Sequence, residues 1–383
     1  MLITGQKELG HYSVNGLKFY NKVSALKACS GGELPKWIFQ DQQFSAHQWL
    51  EEPAEDLYEI YLQRAIQIRN QYDRVILMYS GGIDSTTMLR TFVDNDIPIE
   101  GVGTYGSFQF DNWGELTQNK EAHNVALPYI RQLEHDRNID LNYFFLDDSK
   151  HYDKFIDEEW VYSTSNFSLS PQTFMWNFHQ TDFQYQAQME MGRTCIVRGV
   201  DKPRIFYEDH KWKISFLDSC PGFFNSNDVA KEGSWYDNDY FYWSGDMPKL
   251  ICKQAYTIKN FFDALEDTPE KATLMKQLFS REKKYFNREF YHNYIDPLLY
   301  GRYVNQNVGD DRPYFTLGKA KLVNAWDKDD GFFLHAEKKH QDAWKAGINH
   351  VEEIIDDCYK KDESDFITSG FVDIWSQDYV LGE

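Results

Sequence analysis

The sequence predicts an α/β protein: a parallel sheet with helices on both faces, a small N-terminal element, and a mostly helical, aromatic-rich C-terminal region. Three observations carry this expectation. Short apolar strands alternate with helical stretches through residues 51–207. One strand, residues 75–79, breaks abruptly into glycine and serine and restarts as a helix. Beyond residue 211 the composition changes, with Trp212, Phe216, Phe223, Phe224, Trp235, Tyr236, Tyr240, Phe241, Tyr242 and Trp243 crowded together. The expected units are therefore 1–50, 51–207 and 208–383.

Residues 11–20 read as a hairpin turning at Asn15-Gly16, because that pair supplies the positive φ angles of a tight turn. A short helix at 22–29 and an extended segment at 36–39 follow. The acids and proline of Glu51-Glu52-Pro53 predict a helix start. Leu57, Ile60, Tyr61, Ala65 and Ile68 mark its buried face, and it ends near Asp73. After the strand at 75–79, Met88, Leu89, Phe92 and Val93 recur at helical spacing. A second strand at 97–102, a helix at 119–135 and a third strand at 142–146 come next. Helices are expected at 150–160 and within 170–191, with a fourth strand at 194–197. In the C-terminal third, helices are expected at 249–265, 271–291 and 338–359, followed by a polar stretch at 360–364. The acids Asp228, Asp237 and Asp239 among the aromatics favour a packed core or pocket wall over a nucleic-acid surface, which would interleave Arg and Lys.

The most informative residues are Ser80-Gly81-Gly82-Ile83-Asp84-Ser85. Glycines let backbone approach a ligand, and the following helix adds converging N–H groups and a partial positive charge. A Gly-Gly turn flanked by serines also occurs as an ordinary αL turn or cap. The full hexapeptide between a strand and a helix resembles the SGGxDS signature of the PP-loop superfamily, the N-type ATP pyrophosphatases. These include the synthetase domain of asparagine synthetases, GMP and NAD synthetases, argininosuccinate synthetase, 7-cyano-7-deazaguanine synthases, tRNA thiolation enzymes and PAPS reductases. The resemblance implies an adenine-nucleotide-hydrolase-like, Rossmann-like α/β/α sandwich that binds ATP and Mg²⁺. It implies that Ser80, Gly81, Gly82 and Ser85 hold the β and γ phosphates, and that Asp84 holds Mg²⁺. Magnesium takes one or two carboxylates plus phosphate oxygens, which suits one acid in such a loop. A helix-capping role for Asp84 is compatible with this.

The same resemblance makes Gly103, Thr104 and Tyr105, at the end of the second strand, the contacts to the adenine. Gly101-Val102-Gly103-Thr104-Tyr105-Gly106 also spells GxGxxG, yet neither a helix at the third glycine nor a ribose-binding acid follows. No GxxxxGK[ST] loop is present; Gly318-Lys319-Ala320 lacks the hydroxyl. At the end of the fourth strand, Arg198-Gly199-Val200-Asp201-Lys202 is similar to the segment where several PP-loop synthetases hold a second Mg²⁺. Asp201 is thus a candidate metal ligand, and Arg198 and Lys202 are candidate catalytic cations for the phosphates. A turn aspartate and surface ion pairs are the alternatives. Asp84, Tyr105, Asp147 and Asp201 are expected to face one crevice at the carboxyl ends of the strands.

A net charge of −20 disfavours wrapping nucleic acid. No apolar run reaches the ~18 residues of a membrane span. The start lacks a signal-peptide pattern, so a cytoplasmic protein is expected. Cys29, Cys195, Cys220, Cys252 and Cys358 form no CxxC pair, which weakens sulfur-transfer and PAPS-reductase-like chemistry; Cys220 alone sits in a turn-like setting. His335 and His340 lie about 140° apart on a helix, unlike the aligned pair of HExxH.

By resemblance to the asparagine-synthetase-like domain, the expected activity is an AMP-forming ligase. ATP would activate a substrate oxygen, and a nitrogen nucleophile would then displace AMP. Met1-Leu2 lacks the N-terminal cysteine of glutaminase domains, so ammonia would be free or come from a separate glutaminase, or the nucleophile would be an amine. A sulfur-transfer enzyme and a non-catalytic ATP-binding protein are the alternatives. The oligomeric state is open, a homo-oligomer included.

Overall fold

The computed structural model describes residues 9–29, 33–116, 119–163, 171–175, 192–200, 204–218, 234–281, 288–304, 330–358 and 372–382. Its centre is a five-stranded, wholly parallel sheet. The strands are β4 (Arg74–Met78), β5 (Gly101–Gly106), β6 (Tyr143–Asp147), β7 (Gly192–Arg198) and β10 (Ser234–Tyr240), in the order β6-β5-β4-β7-β10. The apolar run after Arg74 becomes the middle strand because both its faces are covered. Val75 and Leu77 enter the main core, whereas Ile76 and Met78 join Leu146 and Ile196 in a smaller cluster on the opposite face.

From β4 the chain passes through α4 (Ile83–Asp94) to β5, then through a π-helical turn (Ala122–Ala126) and α5 (Leu127–Arg137) to β6. It returns to the other side of β4 as β7, with β10 beyond. The connections therefore diverge between β4 and β7, which makes a crevice at their carboxyl ends, where open α/β sheets take ligands. Register sharpens the picture: Met78 is level with Gly103 on one side and Arg198 on the other, and Arg198 is level with Tyr240.

The fifth strand falls inside the region expected to be mostly helical. Its polar residues conceal it, since Asp237, Asn238 and Asp239 are all buried. Asp239 is neutralised by fully buried Arg64 at 2.8 Å. That same region also contributes to a second, antiparallel sheet of β8 (Arg204–Glu208), β9 (Lys211–Ser215) and β11 (Tyr379–Val380). Asp209 and His210, at φ 52° and 57°, make its hairpin turn. Neither strand pair was expected.

The N-terminal hairpin is as expected: β1 (His11–Val14) and β2 (Leu17–Phe19) turn at Asn15 and Gly16, with φ of 50° and 80°. β3 (Lys36–Ile38) pairs with β1, and α1 (Lys22–Ala28) is capped by Asn21. A short α2 (Asp41–Ser45) follows. α3 (Leu57–Gln71) starts later than the acid–proline signal at 51–53 suggests. A reciprocal capping box of Asp56 and Glu59 sets the start. The expected face, Leu57, Ile60, Tyr61, Ala65 and Ile68, is buried together with Arg64.

The helix expected at 150–160 is instead two 3₁₀ stretches, Asp148–Lys154 and Glu158–Tyr162, started by the Asp147 and Asp157 side chains. Between them Phe155 drops into an aromatic knot with Trp160, Phe174, Phe332 and Trp344. Of the helix expected within 170–191, α6 (Pro171–Met175) is described, and the remainder lies outside the described residues.

The later helices are α7 (Pro248–Asp263), α8 (Pro269–Phe279), α9 (Arg288–Val304), α10 (Gly331–His335) and α11 (Lys338–Cys358). The segment expected as one helix at 271–291 is thus divided between α8 and α9. Asp201, Lys202, Cys220, Phe223, Phe224, Asp228, Gly318-Lys319-Ala320 and the polar stretch 360–364 also lie outside the described residues. Among the described residues, no helix is long and apolar enough to cross a membrane.

Candidate nucleotide-binding site

The hexapeptide forms the bend between β4 and α4. Tyr79 still pairs with β5, donating its N–H to the Gly103 carbonyl at 2.8 Å, and the chain then turns away from the sheet. Gly81 takes φ +88°, a left-handed conformation that a side chain would strain. A Cβ there would also lie 3.1 Å from the Ala126 nitrogen, because the π-helical turn packs directly on the bend. Gly82 is the N-cap of α4 and supplies no side-chain cap.

The motif serines close the bend. Ser85 Oγ donates to the Gly82 carbonyl at 2.9 Å and lies 3.3 Å from Ser80 Oγ, which accepts from the Gly82 N–H at 3.3 Å. Ser80 is exposed and Ser85 is buried. The first-turn amides of α4 have no acceptor within the helix, and the helix dipole adds to their positive potential. Together these groups have the geometry of a candidate anion cradle at the crevice.

Gly199 closes the opposite wall. A Cβ on it would meet the Ser85 Cα at 2.9 Å and the Asp84 carbonyl at 3.2 Å. The end of β7 thus packs backbone to backbone on the first turn of α4. The only sequence signal for this is a glycine immediately after a strand-ending arginine.

Asp84 is half-buried in that first turn. Its carbonyl accepts from the Tyr242 hydroxyl at 2.8 Å. Tyr300 is fully buried, and burial followed by the Asp84 charge pushes its phenol well above the ordinary range. Burial does the same to Tyr61, with a smaller push from Asp84. The sequence marks none of these tyrosines as a site residue, since they stand far from the motif and read as core aromatics.

Arg198 is buried, with 8% of its surface exposed, so it is not the surface residue of the alternative reading. Its Nη2 donates to the Tyr105 hydroxyl at 2.9 Å, and the guanidinium lies 5.4 Å from the centre of that ring. The pair spans β4 on the face of the smaller apolar cluster. Burial raises the Tyr105 phenol, and Arg198 opposes the rise.

Gly103 and Thr104 are committed to the sheet. A Cβ on Gly103 would strike the Phe144 ring at 2.9 Å, and Thr104 Oγ1 donates to the Tyr79 carbonyl at 2.6 Å. Asp147 stands on edge strand β6 and accepts from Ser149 Oγ at 2.6 Å and the Phe108 N–H at 3.0 Å. The motif, Gly199, Arg198 and Tyr105 therefore gather around β4 and β7. Asp147 is employed as a turn acceptor on β6 instead.

Among the described residues, no group of three or more His, Cys, Asp or Glu side chains is arranged to cage a metal. Magnesium needs no such cage when substrate oxygens and water complete its shell, so a single hard carboxylate beside an anion cradle fits it. Asp84 is that carboxylate. Of the cysteines, Cys195 and Cys252 are buried and Cys29 is half-buried. Burial pushes Cys252 up to about 12, away from thiolate chemistry. Compared with protein-family models and with curated proteins, the chain matches none.

Proposed function

We propose that the protein is a PP-loop, AMP-forming ligase of the N-type ATP pyrophosphatase kind, acting on a small-molecule substrate in the cytoplasm. The observation that carries the reading is the Ser80–Ser85 bend, capping α4 without a side chain, at the point where the connections diverge between β4 and β7. In this reading the first-turn amides and the hydroxyls of Ser80 and Ser85 bind the β and γ phosphates of ATP. Arg198, held by Tyr105, neutralises charge that develops around the α phosphorus as pyrophosphate departs. Mg²⁺ held by Asp84 would supply further charge neutralisation and orientation of the triphosphate.

The reaction balances in two steps. A substrate oxygen attacks the α phosphorus, the bond from Pα to the bridging oxygen breaks, and pyrophosphate leaves. A nitrogen nucleophile from ammonia or an amine then adds at the activated carbon, loses a proton and expels AMP. The crevice holds the reacting groups in line, so proximity and electrostatics supply most of the acceleration.

The test is incubation with ATP labelled at the α and γ positions together with a metabolite extract. AMP and intact pyrophosphate are expected, both lost in Asp84→Ala. ADP with orthophosphate overturns the reading. Nucleotide binding without any acceptor-dependent turnover leaves only a nucleotide-binding role.

A further inference from the structure

Three buried tyrosines from three separate elements pack together, one of them bonded to the first turn of α4, and none belongs to the motif. Tyr242 follows β10, Tyr61 lies on α3 and Tyr300 on α9. The Tyr242 ring lies 5.6 Å from Tyr61 and 5.8 Å from Tyr300, and all three side chains are buried.

Each is held by its own element. Arg64 of α3 pairs with Asp239 and donates to the Tyr240 carbonyl at 2.8 Å and the Phe241 carbonyl at 3.3 Å, which fixes the turn that carries Tyr242. α9 contains Pro297, and at Tyr300 it departs from helical geometry, with φ −126° and ψ 15°. Proline removes one N–H from the helix ladder, so a kink near it has a local cause. Tyr61 donates to the Leu299 carbonyl at 3.3 Å, satisfying an acceptor at that kink, and itself accepts from Gln254 of α7 at 2.9 Å. α9 packs along α4, and its Tyr300 ring packs beside that of Tyr242.

A packing role alone would be served by phenylalanine. Here the hydroxyl of Tyr242 is spent on the Asp84 backbone. We infer that Tyr242 is a positioning residue of the nucleotide site: its hydroxyl fixes the turn that presents the phosphate-binding amides, and the Tyr61 and Tyr300 rings hold Tyr242 in place. Nucleotide binding at the loop is thereby coupled to the docking of α9. This inference rests on the nucleotide-site reading above.

The experiment titrates the full chain with α,β-methylene ATP, with and without Mn²⁺, and follows bound Mn²⁺ by electron paramagnetic resonance. Thermal unfolding and near-ultraviolet circular dichroism are recorded for each variant. Tyr300→Leu, which removes the ring that backs Tyr242, is expected to weaken nucleotide binding about tenfold with and without metal. Tyr242→Phe is expected to weaken nucleotide binding with and without metal.

If both variants bind like the parent, or lose only thermal stability, while Asp84→Asn loses the metal-dependent component, the inference falls and the site reading stands. If Asp84→Asn keeps the metal-dependent component, the metal role of Asp84 in the site reading fails, while the role of Tyr242 stands or falls on its own variant.

Discussion

At the scale of single residues, the bend between β4 and α4 depends on two glycines with different physics. Gly81 is required by its dihedral angle, Gly199 by distance. With backbone atoms at 2.9 Å and 3.2 Å from a notional Cβ, no side chain can yield to make room at Gly199. Gly199→Ala is expected to lose about 1–3 kcal/mol of stability through overpacking and to abolish binding of an ATP analogue. Urea unfolding and nucleotide titration check the two effects. His47 supplies a pH prediction of its own. Burial lowers its pKa from the usual 6.5, so the unfolded chain takes up the proton first as pH falls. Its contribution to stability is therefore present above about 6.5 and is lost as pH falls toward the lowered folded value. Unfolding free energy measured from pH 7.5 to 5 should lose part of its slope in His47→Gln. The hexapeptide was legible residue by residue because its neighbours in sequence are its neighbours in space. Gly199 and the tyrosines were not, because their partners lie far away along the chain.

At the scale of elements, local chemistry decided the boundaries. The Asp56–Glu59 capping box moved the start of α3 past Pro53, and Asp56→Ala should lower stability by about 1 kcal/mol in urea unfolding. The hairpin at Asn15-Gly16 was legible because two adjacent residues dictate its turn. β10 was not, because three consecutive polar residues contradict the pattern of a buried strand. Their burial makes sense only once Arg64, on a helix far away in sequence, arrives opposite Asp239. The continuous 3₁₀ character at 148–154 likewise reflects a tertiary demand, since Phe155 must leave the helix path to join the aromatic knot. Helical periodicity alone cannot anticipate such an exit.

At the scale of the whole molecule, the N-terminal element is tied into the rest of the protein. Lys22 and Asp218, 2% and 0% exposed, pair at 2.7 Å. Tyr12 donates to the same carboxylate at 2.9 Å, and the Ile374 N–H donates at 3.2 Å. One buried ion pair thus joins α1, β1, the end of the β8–β9 hairpin segment and the C-terminal stretch. Removing one partner strands the other charge, so Lys22→Met alone should cost about 3–5 kcal/mol. Lys22→Met with Asp218→Leu should cost less than the sum of the single changes. A double-mutant cycle by chemical denaturation measures the difference.

By itself the sequence determined the α/β class, the strand–bend–helix of the candidate phosphate site and the tight turns, because each is written in residues within hydrogen-bonding reach along the chain. Only the tertiary structure decided the strand order, the acidic fifth strand, the packing of Gly199 on α4 and the tyrosines around Asp84. Those features arise when segments 100 or more residues apart in sequence are pressed together, and desolvation then forces buried polar groups to find partners that no local pattern can name.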